Sequence, residues 1–177
     1  MSTYRLNRLF APSSVALIGA SPRETSVGRT ILKNLRAGGF QGAIHLVNPH
    51  YAELDGIAAV KDIVDLPIAP DLVVIAAPPS AVPGLVAAAG EKGCAAAIIV
   101  TSGLGHGPGS LSEGAEQAAR ARGLRLVGPN CLGVLVPSIK LNASFAARMP
   151  RAGDLALISQ SGAIVAEIGR ASCRERV

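Results

Sequence analysis

The chain has 177 residues, 49% of them apolar, with no Trp, three Phe and two Tyr, which suits one domain with a short remainder. Its formal charge of +5 comes from scattered Lys and Arg with few aromatics for base stacking, which excludes nucleic acid and favours a phosphate-rich small molecule. No apolar run nears the roughly 20 residues that span a bilayer, residues 1–5 lack a secretory core, and the three Cys lack metal-ligand spacing, so a cytoplasmic protein with no membrane or metal site is expected.

Ser14-Val15-Ala16-Leu17-Ile18 is an apolar run ending in Gly19-Ala20-Ser21-Pro22, a strand and a turn. Val27, Ile31 and Leu35 fall at helical spacing, and Gly38-Gly39 stop that helix. A second strand over 43–47 ends at Asn48-Pro49 and leads into a polar loop with Gly56. A third strand over 72–76 is closed by Pro78-Pro79. Ser80 is expected to cap the next helix, with Pro83 in its first turn and Gly90 or Gly93 near its end. A fourth strand over 96–100 enters the flexible loop Gly103-Leu104-Gly105-His106-Gly107-Pro108-Gly109. Ser110 and Glu113 form a capping-box pattern for a helix running to about Arg122. A fifth strand over 124–127 ends in Gly128-Pro129-Asn130-Cys131.

Regular alternation of strand and helix predicts an α/β fold, a Rossmann-like doubly wound parallel sheet. Ligands of such sheets bind at the carboxyl ends of the strands, where strand order reverses. The pattern then changes. Residues 134–147 read as irregular or short strands, and Arg151-Ala152-Gly153-Asp154 as a turn. Leu155-Ala156-Leu157-Ile158 reads as a new strand entering Ser159-Gln160-Ser161-Gly162-Ala163, the opening strand and turn of a truncated second, flavodoxin-like domain. The division expected is 1–150, 151–167 and a tail at 168–177.

That tail, Ile168-Gly169-Arg170-Ala171-Ser172-Cys173-Arg174-Glu175-Arg176-Val177, leaves the style of the chain. It back-translates into a common sequencing-library adapter, so it is set aside as non-native and the native protein is expected to continue beyond Glu167. Removing its three Arg and one Glu takes the charge from +5 to +3.

The strand ends hold the candidate site. Gly19-Ala20-Ser21 reads equally as a phosphate loop or a plain βα turn. The next glycine is Gly28, so the G-x-G-x-x-G spacing is missing, and Asn48-Pro49 stand where NAD enzymes place an acid for the ribose. An NAD-binding oxidoreductase is therefore disfavoured. Pro78-Pro79 and Ser102-Gly103 face the same rim, each as a loop constraint or a ligand contact. Asn130 offers an amide donor and acceptor to the crevice, whereas Cys131, with no placed His or Asp partner, reads as structural. His45 lies inside a strand, His50 is a candidate phosphate contact, and His106 is a mobile ligand or a solvated side chain. No catalytic constellation is visible.

Together these residues resemble a known family. Residues 14–21 followed by Val27-Gly28 and Leu32-Lys33-Asn34-Leu35 are similar to the start of NDP-forming (ADP-forming) acyl-CoA synthetases. So are Val47-Asn48-Pro49 with Tyr51, Ala76-Ala77-Pro78, Gly128-Pro129-Asn130-Cys131-Leu132-Gly133, Leu141-Asn142-Ala143-Ser144-Phe145 and Ile158-Ser159-Gln160-Ser161-Gly162-Ala163. The likeness extends to the α subunit of succinyl-CoA synthetase.

The resemblance implies a CoA-binding domain. Gly19, Ala20, Ser21 and Gly28 would lie near the phosphates, Asn48 and Pro49 by the nucleotide, Ala77 and Pro78 along the pantetheine, and Ser102, Asn130 and Cys131 near the thiol. It also implies an enzyme interconverting acyl-CoA, ADP and phosphate with acid, ATP and CoA, with Mg accompanying the nucleotide. A phosphohistidine outside this chain would carry the phosphoryl group, held in part by Ser159, Gln160, Ser161 and Gly162 and the helix after them. The implied partners are the acyl substrate and the catalytic and ATP-grasp domains, in cis or as a second subunit. Two departures stand out: Pro22-Arg23-Glu24-Thr25 replaces a more basic or glycine-containing stretch, and His50 replaces a frequent Lys. The rival functions are a CoA-binding regulatory module of a synthetase-like protein lysine acetyltransferase and a free-standing CoA-binding protein.

Overall fold

Strand β1 (Ser14–Ile18) is buried on both faces, which explains why its sequence is a continuous apolar run. The side chains alternate between two cores as the pleat requires. Val15 and Leu17 pack towards Ile31, Leu32 and Leu35 of α2 (Val27–Ala37), while Ala16 and Ile18 face Val82, Val86 and Ala89 of α3 (Val82–Lys92). Each fully buried aliphatic side chain contributes about 1.5–3 kcal/mol, so both faces of this strand stabilise the fold. The computed structural model describes residues 5–172.

The remaining strands are β2 (Ala43–Val47), β3 (Glu53–Leu54), β4 (Ile57–Val60), β5 (Leu72–Ile75), β6 (Ala96–Ile99) and β7 (Arg125–Val127). They make a seven-stranded sheet in the order β3-β4-β2-β1-β5-β6-β7, parallel except at the β3–β4 pair. The chain runs outward from β1 to β2 and β4, then returns to β5 on the other side. Strand order therefore reverses between β1 and β5, and the crevice of the sheet opens at their carboxyl ends. Helix α4 (Leu111–Ala121) lies beside α3, and Ala115 and Ala119 share its core.

Several expectations are corrected in detail. The loop around Gly56 is a hairpin, β3–β4, turning on Asp55 (φ 53) and Gly56 (φ 78). Asp-Gly is the dipeptide that a two-residue turn with both φ positive demands. Ser80 does not cap α3: it sits in a 3₁₀ turn (Pro79–Ala81), and Ala81 precedes the helix without a side-chain bond. Ser110 does cap α4, accepting from the Glu113 N–H at 3.2 Å, but Glu113 reaches back to the Gly109 N–H at 2.6 Å rather than to Ser110.

Residues 134–147 resolve into an antiparallel hairpin of β8 (Gly133–Val136) and β9 (Leu141–Ser144), with Leu141 and Ala143 buried against α2. Asn34 of α2 fastens it, donating from Nδ2 to the Ser144 and Ala146 carbonyls at 2.8 and 2.9 Å.

Leu155 to Ile158 form no strand. Leu155 and Ile158 are 99% and 92% exposed. An extended run becomes a strand only with a ladder partner, and none of the described strands pairs with it. Helix α5 (Gly162–Ser172) follows, crossing the expected boundary at Ile168. The rest of the expected tail, residues 173–177, lies outside the described residues. Among the described residues no helix is long and apolar enough to cross a membrane.

At the opposite, amino end of the sheet, Asp71 ties helix α1 (Leu6–Phe10) to β1. Its carboxylate accepts from the Ser13 amide and hydroxyl at 2.8 and 2.7 Å and from Arg8.

Candidate site at the carboxyl rim of the sheet

The turn after β1 is shaped by backbone approaching backbone. Gly19 has φ +89, and a Cβ there would stand 2.3 Å from the Ala76 carbonyl oxygen. A Cβ at Gly28 would stand 2.3 Å from the Gly19 carbonyl oxygen. Both positions thus exclude side chains, and the first turn of α2 and the tip of β5 close directly on the Gly19 turn. Ser26 caps α2, accepting from the Arg29 N–H at 3.1 Å. The N–H groups of a capped first turn beside a side-chain-free backbone are the fittings of an anion cradle.

Asn48, at the end of β2, is buried and its amide is already engaged. Nδ2 donates to the Ala20 carbonyl at 2.6 Å and Oδ1 accepts from the His50 N–H at 2.8 Å. Asn48 therefore fixes the shape of the Gly19-Ala20-Ser21 turn, while Pro49, His50 and Tyr51 stand exposed beyond it. Ser21 is buried too, with Oγ accepting from the Arg23 N–H at 3.3 Å.

The other half of the rim is laced together by Thr101, which the sequence pattern did not single out. Its Oγ1 donates to the Ala77 carbonyl at 2.8 Å, and its own carbonyl accepts from the Asn130 N–H at 3.0 Å. The ends of β5, β6 and β7 are joined through this one residue. A hydroxyl at the end of a buried apolar run, two residues past β6, was the available signal. Asn130 has φ 54 and is exposed in the turn that follows β7. Gly128 is forced by the Ile99 carbonyl, 2.4 Å from where a Cβ would sit.

The Cys131 thiol donates to the Ile99 and Val127 carbonyls at 3.4 and 3.7 Å. Burial pushes its pKa up, against smaller opposing backbone hydrogen bonds, which disfavours the thiolate.

Gly19, Ala20, Ser21, Gly28, Asn48, Pro49, Ala77, Pro78, Ser102, Asn130 and Cys131 therefore occupy one rim, at or just beyond the carboxyl ends of β1, β2, β5, β6 and β7. Ser159, Gln160, Ser161 and Gly162 come from the far end of the chain. They begin α5 beside the segment that follows Cys131: a Cβ at Gly162 would stand 3.7 Å from that of Leu132. Ser159 Oγ accepts from the Ser161 N–H at 3.0 Å, so this turn is locally ordered.

Comparisons with known proteins give the family. The family described as CoA binding domain matches residues 13–137. The ADP-forming acetate–CoA ligase of Methanocaldococcus jannaschii is 40% identical over 163 residues, 92% of this chain and 23% of that protein. The α subunit of ADP-forming acetate–CoA ligase I of Pyrococcus furiosus is 37% identical over 90% of this chain and 36% of its own length. Among solved structures, the dinucleotide-forming acetyl-coenzyme A synthetase 1 of Ca. Korarchaeum cryptofilum, in complex with phosphate and ADP, superimposes with a TM-score of 0.87 at 35% identity, covering 94% of this chain and 36% of that one. The chain thus spans between about a quarter and just over a third of the length of these proteins. On sequence and on architecture alike, this chain belongs to the CoA-binding domain family.

Proposed function

We propose that the rim binds CoA, with its pyrophosphate against the Gly19-Ala20-Ser21 turn and the first turn of α2 at Gly28. The nucleotide portion lies by Asn48 and Pro49, the pantetheine runs past Ala77 and Pro78, and the thiol reaches Ser102, Asn130 and Cys131. One observation carries this reading: Gly19 and Gly28 clear a side-chain-free backbone cradle at the point where strand order reverses. The absence of an acid at the end of β2 speaks for CoA over NAD, since Asn48 spends its amide on the turn.

The whole protein is proposed to be a cytoplasmic ADP-forming acyl-CoA synthetase, in which this domain supplies CoA. Residues 151–167 would begin the next domain, Ser159, Gln160, Ser161 and Gly162 contributing backbone N–H groups to a phosphohistidine carried elsewhere. ATP or ADP with Mg, and the acyl substrate, would be handled by catalytic and ATP-grasp domains in cis or on a second subunit. Residues 168–177 are proposed to be adapter-derived, which resequencing of the source locus tests: a native frame encoding them would refute it. The ligases named above support the synthetase reading, and none of them speaks for an acetyltransferase module.

Calorimetric titration of residues 1–167 with CoA, with NAD as control, tests the binding reading. The expected result is saturable CoA binding, weakened by Asn130→Ala, and none for NAD. Binding of NAD but not CoA would overturn it.

A further inference from the structure

The loop from the Gly19 turn to α2 carries an acid where a phosphate ligand would favour none. Glu24, its side chain 66% exposed, pairs with Lys33, and its Oε1 lies 3.5 Å from Arg29 Nε. Arg29 and Lys33 sit on α2 four residues apart, on one stripe of the helix. Arg29 is held from the far side, its Nη1 2.6 Å from Asp55 Oδ2 in the β3–β4 turn, and its side chain is only 14% exposed. Among the described residues, Arg29 Nε is a buried side-chain donor with no hydrogen-bond partner. A guanidinium fixed on one side with an idle N–H on the other is prepared for an acceptor that Glu24 approaches but does not replace.

We infer that Arg29 and Lys33 form a second anion subsite, outside the pyrophosphate cradle, whose occupancy is contested by the Glu24 carboxylate. The inference rests on the CoA reading and deepens it. CoA carries one phosphate apart from its pyrophosphate, the 3′-phosphate of its ribose, and that dianion is the ligand group the subsite takes. An exposed carboxylate–lysine pair holds its partner weakly, so a phosphate bearing nearly two charges displaces it. Glu24 then swings into solvent, and Arg29, anchored by Asp55, stays. The acid acts as a built-in competitor that lowers affinity for the 3′-phosphorylated form.

The test titrates the full chain at low ionic strength with CoA and with 3′-dephospho-CoA, before and after Glu24→Gln. Glu24 is exposed, so the substitution leaves the fold intact. CoA is expected to tighten by about three- to tenfold, the effect of removing one unit charge beside a phosphate in high dielectric. Dephospho-CoA should change by less than about twofold, and the gain for CoA should shrink with salt. Lys33→Gln should weaken CoA and leave dephospho-CoA in place. Equal shifts for the two ligands, or no shift for CoA, would overturn the subsite while leaving the CoA reading intact. No saturable binding of either ligand to the unsubstituted chain would overturn both.

Discussion

Gly28 lies so close to Gly19 that the first turn of α2 rests on the carbonyl of the β1 turn, with 2.3 Å between that oxygen and the place of a Cβ at Gly28. The contact is backbone on backbone, so neither partner can rotate away. Gly19→Ala and Gly28→Ala are each expected to destabilise the domain by about 2–4 kcal/mol, Gly19→Ala also because its φ of +89 disfavours any side chain. Gly84, inside α3, has nothing within 4 Å of its missing Cβ, and Gly84→Ala should stabilise by up to about 1 kcal/mol. Urea unfolding of the three variants checks both signs. A Gly28→Ala variant as stable as the parent would refute the close contact.

Stability should fall on the acid side because of Asp71. Burial alone would raise its pKa, but hydrogen bonds from the Ser13 hydroxyl and amide, together with Arg8, outweigh burial and hold it below the usual carboxylate range. With the folded pKa depressed, the contribution is complete above the unfolded value of about 3.9 and is lost as pH falls through the folded value. Asp71→Asn should cost about 1–3 kcal/mol at neutral pH and flatten the acid limb of a stability–pH profile measured by chemical denaturation. An acid limb unchanged by the substitution would show that other carboxylates govern it.

These two cases separate what the sequence discloses from what it hides. Buried strands such as β1 and β6 are continuous apolar runs with Gly or polar stops, so their place and the rim they define are readable in one dimension. Gly19 and Gly128 were visible as punctuation, although the carbonyls of Ala76 and Ile99 that require them were not, being about 57 and 29 residues away in the chain. The β3–β4 pair was missed because strands of two and four residues carry too little alternation, even though Asp55-Gly56 announced the turn. Thr101 and the Arg29 network were missed for a different reason. Their importance lies wholly in partners brought by other strands and turns, at Ala77, Asn130 and Asp55. Leu155 to Ile158 fail as a strand for the complementary reason: the local pattern is present and the partner is not.

Asn34 should prove to be the clasp of the β8–β9 hairpin. Its Nδ2 serves the carbonyls of Ser144 and Ala146, while the Ser144 hydroxyl donates to Asn142 Oδ1 at 2.6 Å and accepts from the Ala146 N–H at 3.1 Å. Asn34→Ala removes the donor of both carbonyl bonds and is expected to cost about 1–3 kcal/mol. Asn34→Asp should cost more, because a carboxylate turns acceptors towards acceptors. Hydrogen exchange offers a local readout: amides of β9 should lose protection before those of β6. Uniform loss across the sheet would argue against a clasp.

The two described cysteines should resist alkylation in the folded chain. Burial pushes the Cys94 thiol up to about 11, so its thiolate is scarce near neutral pH. Cys131 is raised in the same direction by burial and donates its proton to the Ile99 carbonyl at 3.4 Å. In a Cys173→Ser background, iodoacetamide at pH 8 should label buried Cys94 only at the rate of global unfolding, and half-buried Cys131 faster than Cys94 but more slowly than in urea. If Cys131 labels as quickly as in urea, its burial and hydrogen bond are not as described. If CoA binds where proposed, saturating ligand should slow the Cys131 reaction further and leave Cys94 unaffected by anything except added stability.

The segment after Arg151 should govern how the isolated chain behaves in solution. Leu155 and Ile158 are almost fully exposed, and Ile164 and Ile168 of α5 are about half exposed at 53% and 47%. Four large aliphatic side chains in so short a stretch, beside backbone at 155–158 that has no ladder, offer both apolar surface and free N–H and C=O groups to another copy. Removing residues 152–177 is therefore expected to raise the soluble fraction and to lower light scattering at high concentration. Because that deletion also uncovers Leu135 and Ala146, which Val165 and Ala166 meet across a pocket, a second variant separates the causes. Leu155→Ser with Ile158→Ser in the full chain keeps α5 and should give most of the same gain. Improvement in the double variant alone would mean that α5 is needed to cover the hairpin. No improvement in either would count against residues 151–167 as the opening of a domain whose sheet lies elsewhere, since that proposal is what leaves Leu155 and Ile158 without a cover.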